Sequence, residues 1–413
     1  SKSGYELSRF DWSKFDLVVI DESHNFRNRI AKYDENDELI MNRYFKLLHN
    51  VIKNGKNTKG KASSGFSARG AVGIDVTQNA IKMVYLSGRN LNQIQLEKYS
   101  IVRLPKNIIK GNRILDYDQL VSYLQHAYTQ LNTNNRNIVV AMPQTLTIIE
   151  TVSYSAKDTE MDVEDFVEFE IAQLASLEDV NYDYQILSNG SNFSQSKLLL
   201  AASRKEDIEP RLEALDSANL TPKFLDVDIF AQANAFNYWL NYQSPELQEE
   251  KVAVINISES EMYSLIMKDG QILYKQESPL GGEQLNQLIQ RTYQVSEEQA
   301  QVMQKGGDRP ADYQIQISDR FNVQIAQEIQ RVLQFYYTTQ SGEQFSNIKH
   351  IFLTGAASTQ AGLTEVIFSQ TNTAAECINP ISCLQYSKHV DVSELNQDAF
   401  GLAVAFGLAL RGL

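Results

Sequence analysis

Two stretches of this chain carry the same alternation of apolar runs and polar turns. In the first, the apolar run Ala71–Ile74 ends in a polar turn, Ile81–Leu86 follows, and Ser87–Asn90 turns the chain again. In the second, Val252–Ile255 ends in a polar turn, and Met262–Met267 runs out to Lys268–Gly270. Short apolar runs bounded by turn residues predict strands, so each stretch reads strand, tight turn, strand, turn, strand. Asp75 and Asn256 hold equivalent places, 181 residues apart. Two similar halves of about 180 residues, each opening on a β-hairpin, predict duplicated domains facing across a cleft. Helical periodicity follows each hairpin: "LDYDQLVSYLQHAYTQL" from Leu115 after the first, "EQLNQLIQRTYQ" and "NVQIAQEIQRVLQFYYTT" after the second. "HIFLTGAAS", His350 to Ser358, predicts a strand and a small-residue turn, and "QAGLTEVIFSQ" after it a helix.

Ahead of the repeat the pattern changes. "DLVVIDESHNF", Asp16 to Phe26, predicts a buried strand, Leu17–Ile20, that delivers Asp21 and Glu22 to its carboxyl end. Apolar residues at Leu39, Ile40, Tyr44, Leu47, Leu48 and Ile52 fall on one helical face, with Gly55 as a stop. "NGKNTKGKASSGFSARG", Asn54 to Gly70, has the Gly-, Ser-, Lys- and Asn-rich composition of a linker. Charge shifts at the same seam. Residues 1–61 hold 12 Lys and Arg against 9 Asp and Glu, a net of +3, which leaves −16 of the total −13 to the remainder. The expected organisation is a segment 1–59, a linker 60–70 and a main unit 71–413.

Composition bounds the function. The chain has 413 residues, 43% hydrophobic and 22% charged, as in an ordinary globular protein. A net charge of −13 argues against a surface built to coat nucleic acid or an anionic membrane. No apolar run approaches the roughly 20 residues that span a bilayer. "AFGLAVAFGLALRGL" is apolar but short and broken by glycine and Arg411, so a packed helix is expected there. Cys377 and Cys383 are too few for a disulfide framework and suit a reducing cytoplasm. The chain opens on Ser, with no signal peptide, and the boundary of a fragment is expected there.

The paired turns have a chemical use. A tight strand–strand turn aims successive backbone N–H groups into a cleft, where they bind phosphate. One turn from each half would grip a phosphate chain from opposite sides, and Asp75 in the first could hold Mg²⁺ through water. At "TGAAS" the small side chains let a flat ligand approach the backbone.

These residues carry a resemblance. From about Ala71 to Leu413 the chain resembles the PilM family of actin-like proteins of type IV pilus assembly. "GIDVTQNAIK" resembles the family's first phosphate motif. "VNYDYQIL" and "LLLAASRKEDIEPRLEALDSANLTPKFLDVDIFAQANAF" resemble its inserted subdomain and crossover helix, and "SPLGGEQLNQLI", "IFLTGAAS" and "AFGLAVAFGLALRGL" its later landmarks in order. Residues 1–59 resemble motif II and the next helix of Swi/Snf-like superfamily-two helicases. No G-x-x-x-x-G-K-[ST] phosphate loop accompanies Asp21 and Glu22, so that segment is expected to be non-catalytic.

The PilM resemblance implies a two-lobed actin-like (ribonuclease H-like) α/β fold with an inserted subdomain and ATP with Mg²⁺ in the cleft. Its first lobe would be 71–150 and 226–250 with the C-terminal helix 398–413, its insert 151–225 and its second lobe 251–397. Carried over by position, Asp75, Thr77, Gln78, Asn79 and Lys82 form the first phosphate turn, and Asn256, Ile257 and Ser258 the second. Gln301 and Gln304 face ribose and adenine, Gly355 and Ala356 form the adenosine turn, and Asp228 stands where relatives hold a water-orienting acid. The second turn commonly reads Asp-Ile-Gly, so Asn256 removes a carboxylate and implies weak or no hydrolysis. The implied role is a cytoplasmic adaptor that binds the N-terminal tail of the membrane protein PilN, joins the inner-membrane complex to the pilus motor and serves twitching motility and DNA uptake. Alternatives are a slow actin-like ATPase using Asp75 and Asp228, and a helicase-like ATPase using Asp21 and Glu22.

Overall fold

The computed structural model describes residues 32–33, 39–40 and 70–413, apart from 89–92, 156–160, 190–195, 305 and 340–346. Lys32–Tyr33 (β1) pairs antiparallel with Leu39–Ile40 (β2), which stands as a separate unit. Leu39 and Ile40, expected to open a helix, therefore lie in a strand. The expected strand Leu17–Ile20 and the acids Asp21 and Glu22 lie outside the described residues.

The main unit is built on two mixed sheets. Ala71–Val76 (β3), Ala80–Gly88 (β4) and Ile94–Arg103 (β5) form an antiparallel meander, followed by the short pair Ile109–Lys110 (β6) and Arg113–Ile114 (β7). Ile138–Met142 (β8) joins β3 in parallel. Thr147–Tyr154 (β9), Val180–Asn189 (β10) and Ser196–Arg204 (β11) make a separate antiparallel sheet in the order β10-β11-β9. Phe224–Val227 (β12) then pairs in parallel with β8. The second meander is Val252–Ile257 (β13), Met262–Lys268 (β14) and Gln271–Ser278 (β15), extended in parallel by His350–Thr354 (β16) and Ala375–Cys377 (β17). Gln385–Tyr386 (β18) returns to pair with β5.

The duplication read from the sequence is visible in these orders. One sheet runs β12-β8-β3-β4-β5-β18 and the other β17-β16-β13-β14-β15. Each is an antiparallel meander whose first strand continues into two parallel strands.

Strand parity explains the layers. Successive side chains point to opposite faces. Val72 and Ile74 pack with Ile81 and Met83 against Leu120, Leu124 and Leu131 of the helix Tyr117–Leu131. Ala71, Val84 and Leu86 face the other way, onto Ala405, Phe406 and Ala409 of the C-terminal helix Ala403–Gly412. The second sheet repeats the arrangement. Ala253, Ile255 and Ile257 face Leu285 and Ile289 of the helix Gly282–Tyr293 and Phe321 and Ile325 of the helix Asp319–Thr339. Val252 and Val254 face Phe236, Trp239 and Leu240 of the crossover helix Asp228–Gln243. Ala235 and Tyr238 of that same helix join the core under the first sheet. The crossover helix thus belongs to both lobes.

The described residues move three expected boundaries. β9 starts at Thr147, ahead of 151. In the helix Lys205–Ser217, Ala214 and Leu215 pack in the first lobe's core, since their apolar face meets Leu120 and Leu124 rather than the small sheet. β18 lies in the first sheet, so the chain re-enters that lobe before 398. In the small subdomain, Phe166, Val167 and Ile171 of the helix Val163–Leu174 cover Leu198 and Leu200, while Phe169 is 52% exposed. No helix among the described residues is long and apolar enough to cross a membrane.

Candidate functional site

The two hairpin turns are closed by the same hydrogen bonds. After β3, the Thr77 amide donates to Ala80 O at 2.9 Å, the Thr77 hydroxyl donates to Ala80 O at 3.0 Å, and the Ala80 amide donates back to Thr77 Oγ1 at 3.1 Å. After β13, Ser258 and Glu261 make the same three bonds at 2.9, 2.8 and 3.1 Å. A hydroxyl able to donate and accept at once makes this closure possible. Ser258 stands where the family's turn commonly carries glycine, which allows a positive φ. Its φ is not positive, and its side chain instead repeats the role of Thr77.

Asp75 is buried at the end of β3 and directly opposite Lys82 on β4, with Lys82 Nζ 3.8 Å from Asp75 Oδ2. Burial raises the Asp75 pKa and Lys82 counters it. Gln78 and Asn79 form the tip of this turn, half-buried, and the Asn79 carbonyl accepts from the Leu104 amide at 2.8 Å.

The equivalent Asn256 is 8% exposed. Its amide nitrogen donates to Gln232 Oε1 of the crossover helix at 3.3 Å. Asn256 Oδ1 and Gln232 Nε2 are left buried without partners. Such groups cost roughly 1–3 kcal/mol apiece unless a ligand or water meets them. Ile257 buries its side chain in the second lobe's core and offers its carbonyl to the Ala357 amide at 3.0 Å. Gly355 follows β16 with φ +94°, and a Cβ there would lie within contact of Asn256 Oδ1 and Ile257 O. Ala356 is exposed beside it. The turn at Gly355 therefore rests directly on the end of β13 and the turn that follows it.

A glycine pair absent from the expected site completes this side. A Cβ on Gly281 would lie 2.7 Å from Ser258 O, and one on Gly282 3.4 Å from Gln304 Nε2 and from Ala357 Cβ. The Gly282 amide donates to Ser258 O at 3.0 Å. Around Gly281 and Gly282 the structure gathers Ser258, Gln304 and the turn at Gly355. Gln301 lies on the same short helix, Glu297–Gln304, half-buried.

Asp228 opens the crossover helix. Its Oδ1 accepts from the Ile229 amide at 2.7 Å and from the Gln144 amide at 3.1 Å. Burial holds its pKa well above the usual carboxylate range, and the charges of Asp75 and Glu261 add to the rise despite the two amides. Glu261 also rises, through burial and Asp75, against a hydrogen bond from Tyr263 and the charge of Lys82. Gln144 Nε2 donates to Glu277 Oε2 of β15 at 3.3 Å, so one glutamine touches both lobes. Acids from both turns and the crossover helix thus act on one another, Asp75 and Glu261 on Asp228 and Asp75 on Glu261. Among the described residues, no three His, Cys, Asp or Glu side chains stand close enough together to hold a metal directly.

Gln144, Gln232, Glu261, Gly281 and Gly282 were missed in the sequence. Ser258 and Glu261 lie 181 residues beyond Thr77 and Ala80, so the repeat itself carried a signal for the turn. The doubled glycine of "SPLGGEQ" carried another. Gln144 and Gln232 had none, because only folding brings their partners near.

The family model for type IV pilus assembly protein PilM matches residues 73–413. A solved structure described as a PilM-PilN type IV pilus biogenesis complex is 22% identical, with a TM-score of 0.70, and the match covers 84% of this chain and 99% of that one. Ethanolamine utilization protein EutJ from Carboxydothermus hydrogenoformans is 13% identical at a TM-score of 0.50, covering 89% of this chain and 96% of that one. The fold these share with the chain is the actin-like ATPase fold. With the family model spanning residues 73–413, and so the turns after both β3 and β13, the chain belongs to the family of type IV pilus assembly protein PilM.

Proposed function

We propose that this protein is an ATP-binding adaptor of the type IV pilus machinery whose nucleotide ties the two lobes together and whose output is the binding of a PilN tail. The observation that carries the nucleotide half is the pair of identically closed turns, Asp75–Ala80 and Asn256–Glu261, set across one cleft. The site also fits the group on its own terms. Asn256 Oδ1 and Gln232 Nε2 are buried polar atoms without a partner where the crossover helix meets β13, and Gly281 and Gly355 let their turns pack directly on the turn after β13. Backbone amides of Gln78, Asn79 and Ile257 would hold phosphates beside the Thr77 and Ser258 amides that close the turns, Lys82 would add charge, Gln301 and Gln304 would meet the ribose and base, and Gly355 and Ala356 would flank the adenosine. Bound Mg·ATP supplies a chain of acceptors and charge that both lobes share. Asp75, buried beside Lys82, would meet the Mg²⁺ through water.

Binding rather than turnover is the favoured output. Asn256 offers no carboxylate, and Asp228 already spends one oxygen on the Ile229 and Gln144 amides while its pKa is raised. A slow ATPase through Asp75 and Asp228 is the second reading, supported by the placement of both acids along the cleft. Residues 1–59 contribute no function in this reading, and the Asp21 and Glu22 alternative has no support from the family match, which begins at residue 73.

The partner half rests on family membership and on likeness to a PilM-PilN complex. In this reading the protein sits on the cytoplasmic face of the inner membrane, recruited by a membrane protein's tail and contributing to twitching and DNA uptake. The net charge of −13 disfavours recruitment by anionic lipid alone. Titrating the full chain with the N-terminal peptide of the PilN encoded in the same genome, with and without Mg·ATP, tests it. Saturable binding is expected. No binding at millimolar peptide, with ATP bound and the protein folded, would reject the adaptor reading.

A further inference from the structure

The loop that follows β5 makes a set of contacts that the nucleotide reading does not use. Arg103 ends β5 and pairs in register with Ala80, the last residue of the first phosphate turn. One residue on, the Leu104 amide donates to Asn79 O of that turn. The loop is therefore anchored to the first turn by backbone. Its side chains reach the opposite lobe. Arg103 Nη1 lies 3.1 Å from Glu259 Oε1, and Glu259 directly follows Ser258 in the second turn. Lys106 Nζ lies 2.9 Å from Glu297 Oε1 and 3.6 Å from Glu283 Oε1.

The three acids sit at telling places. Glu283 stands in the first turn of the helix that starts at Gly282, and Glu297 in the first turn of the helix that bears Gln301 and Gln304. Acids there complement the helix dipoles, so they have a local reason to be present. Glu259 has no such reason. A carboxylate beside a phosphate-binding turn repels the ligand unless a cation neutralises it, and Arg103 does so from the other lobe. The Glu283 amide donates to Glu259 O at 2.6 Å, which binds these elements to one another on the second-lobe side.

We propose that Arg103 and Lys106 form an ionic latch across the mouth of the cleft. They act as positioning residues: they hold the second phosphate turn and the Gln301–Gln304 helix against the first turn, and they mask Glu259 from the phosphates. This rests on the nucleotide reading for its consequence, nucleotide retention, but not for the latch itself. Exposed ion pairs are individually weak, on the order of 0.2–1 kcal/mol, and screened by salt. Three acting on one hinge set a release rate that changes by about tenfold when they are lost.

The test uses the full chain in two arms. In the first, without nucleotide, amide hydrogen exchange is followed in peptides covering 103–108 and 280–286. Arg103→Gln with Lys106→Gln should speed exchange in both peptides, and Lys106→Glu should do so alone. Adding Glu297→Lys to Lys106→Glu should restore protection, a rescue that simple misfolding would not show. In the second arm, dissociation of a fluorescent ATP analogue is timed at low and high salt. The wild type should release faster in high salt, while the double Gln variant should release about tenfold faster than wild type at low salt and show little salt dependence. Unchanged exchange in the variants, or failure of the charge swap to restore it, would overturn the latch. If the wild type binds no ATP analogue, the nucleotide reading fails, and the exchange arm still decides the latch.

Discussion

Gly355→Ala tests whether the turn after β16 rests on the turn after β13, as the nucleotide reading requires. Two costs are separable in the structure. The backbone at Gly355 has φ +94°, and an L-residue forced into left-handed space loses roughly 1–2 kcal/mol. The new methyl would also meet Asn256 Oδ1 and Ile257 O, and would lie 2.6 Å from the Ile257 carbonyl carbon. These are buried groups, and the Gly355 amide is pinned to Phe400 O at 2.7 Å, so relief by backbone movement is blocked on that side. Overpacking of this kind adds about 1–3 kcal/mol. The total of about 2–5 kcal/mol predicts a fall in Tm of about 3–7 °C for a unit of this size. Gly306→Ala is the control. Its φ is +98°, and nothing lies within 4 Å of a Cβ there, so it carries the backbone cost alone. Thermal unfolding of both variants, with titration of an ATP analogue, reads the difference. Gly355→Ala should lose more stability than Gly306→Ala and also lose nucleotide affinity. Equal Tm losses would refute the packed-turn reasoning.

Three further outcomes are expected. Asp228 is more readily protonated in the folded state than its ordinary value of 3.8, so its contribution is fully favourable below that value and is lost as pH rises through the raised folded value. Asp228→Asn should therefore be more stable than the parent near pH 7, with the gain vanishing near pH 3. Identical unfolding curves at neutral pH would contradict this. Thr77→Ala and Ser258→Ala each delete a hydroxyl that makes two turn bonds, and each should cost about 1–2 kcal/mol in chemical denaturation. A much larger loss at one of them would show that the turns are not equivalent. Asp75→Asn should leave ATP binding less responsive to Mg²⁺ in titrations with and without the metal, and an unchanged response would move the metal elsewhere.

Much of this fold was written in local pattern. Apolar runs at Ala71–Ile74 and Val252–Ile255 are short and bounded by turn residues, and a strand is what such a run forms whatever surrounds it. The repeat of that pattern after 181 residues locates both hairpins and pairs Asp75 with Asn256. Boundaries were less legible. The helix Lys205–Ser217 looks like part of the insert because it follows β11 directly, yet Ala214 and Leu215 pack in the first lobe. Periodicity reports that a face is apolar, not which neighbour will cover it. Leu39 and Ile40 show the same limit, since two apolar residues suit a helical face or a strand equally.

The sequence by itself determined the duplicated hairpins, the strand parity that gives each sheet two buried faces, and the loss of a carboxylate at Asn256. Those are properties of neighbouring residues and of an internal repeat. Only the tertiary structure decided which distant groups meet. It set Lys82 against Asp75, left Asn256 and Gln232 each with an unmet atom, and sent one amide from Gln144 to Asp228 and another to Glu277. It also turned Arg103 and Lys106, ordinary surface cations in the sequence, into the bridge between the lobes. Pairings across 84, 133 or more residues leave no local trace, because a polar side chain carries no record of its partner until the chain has folded.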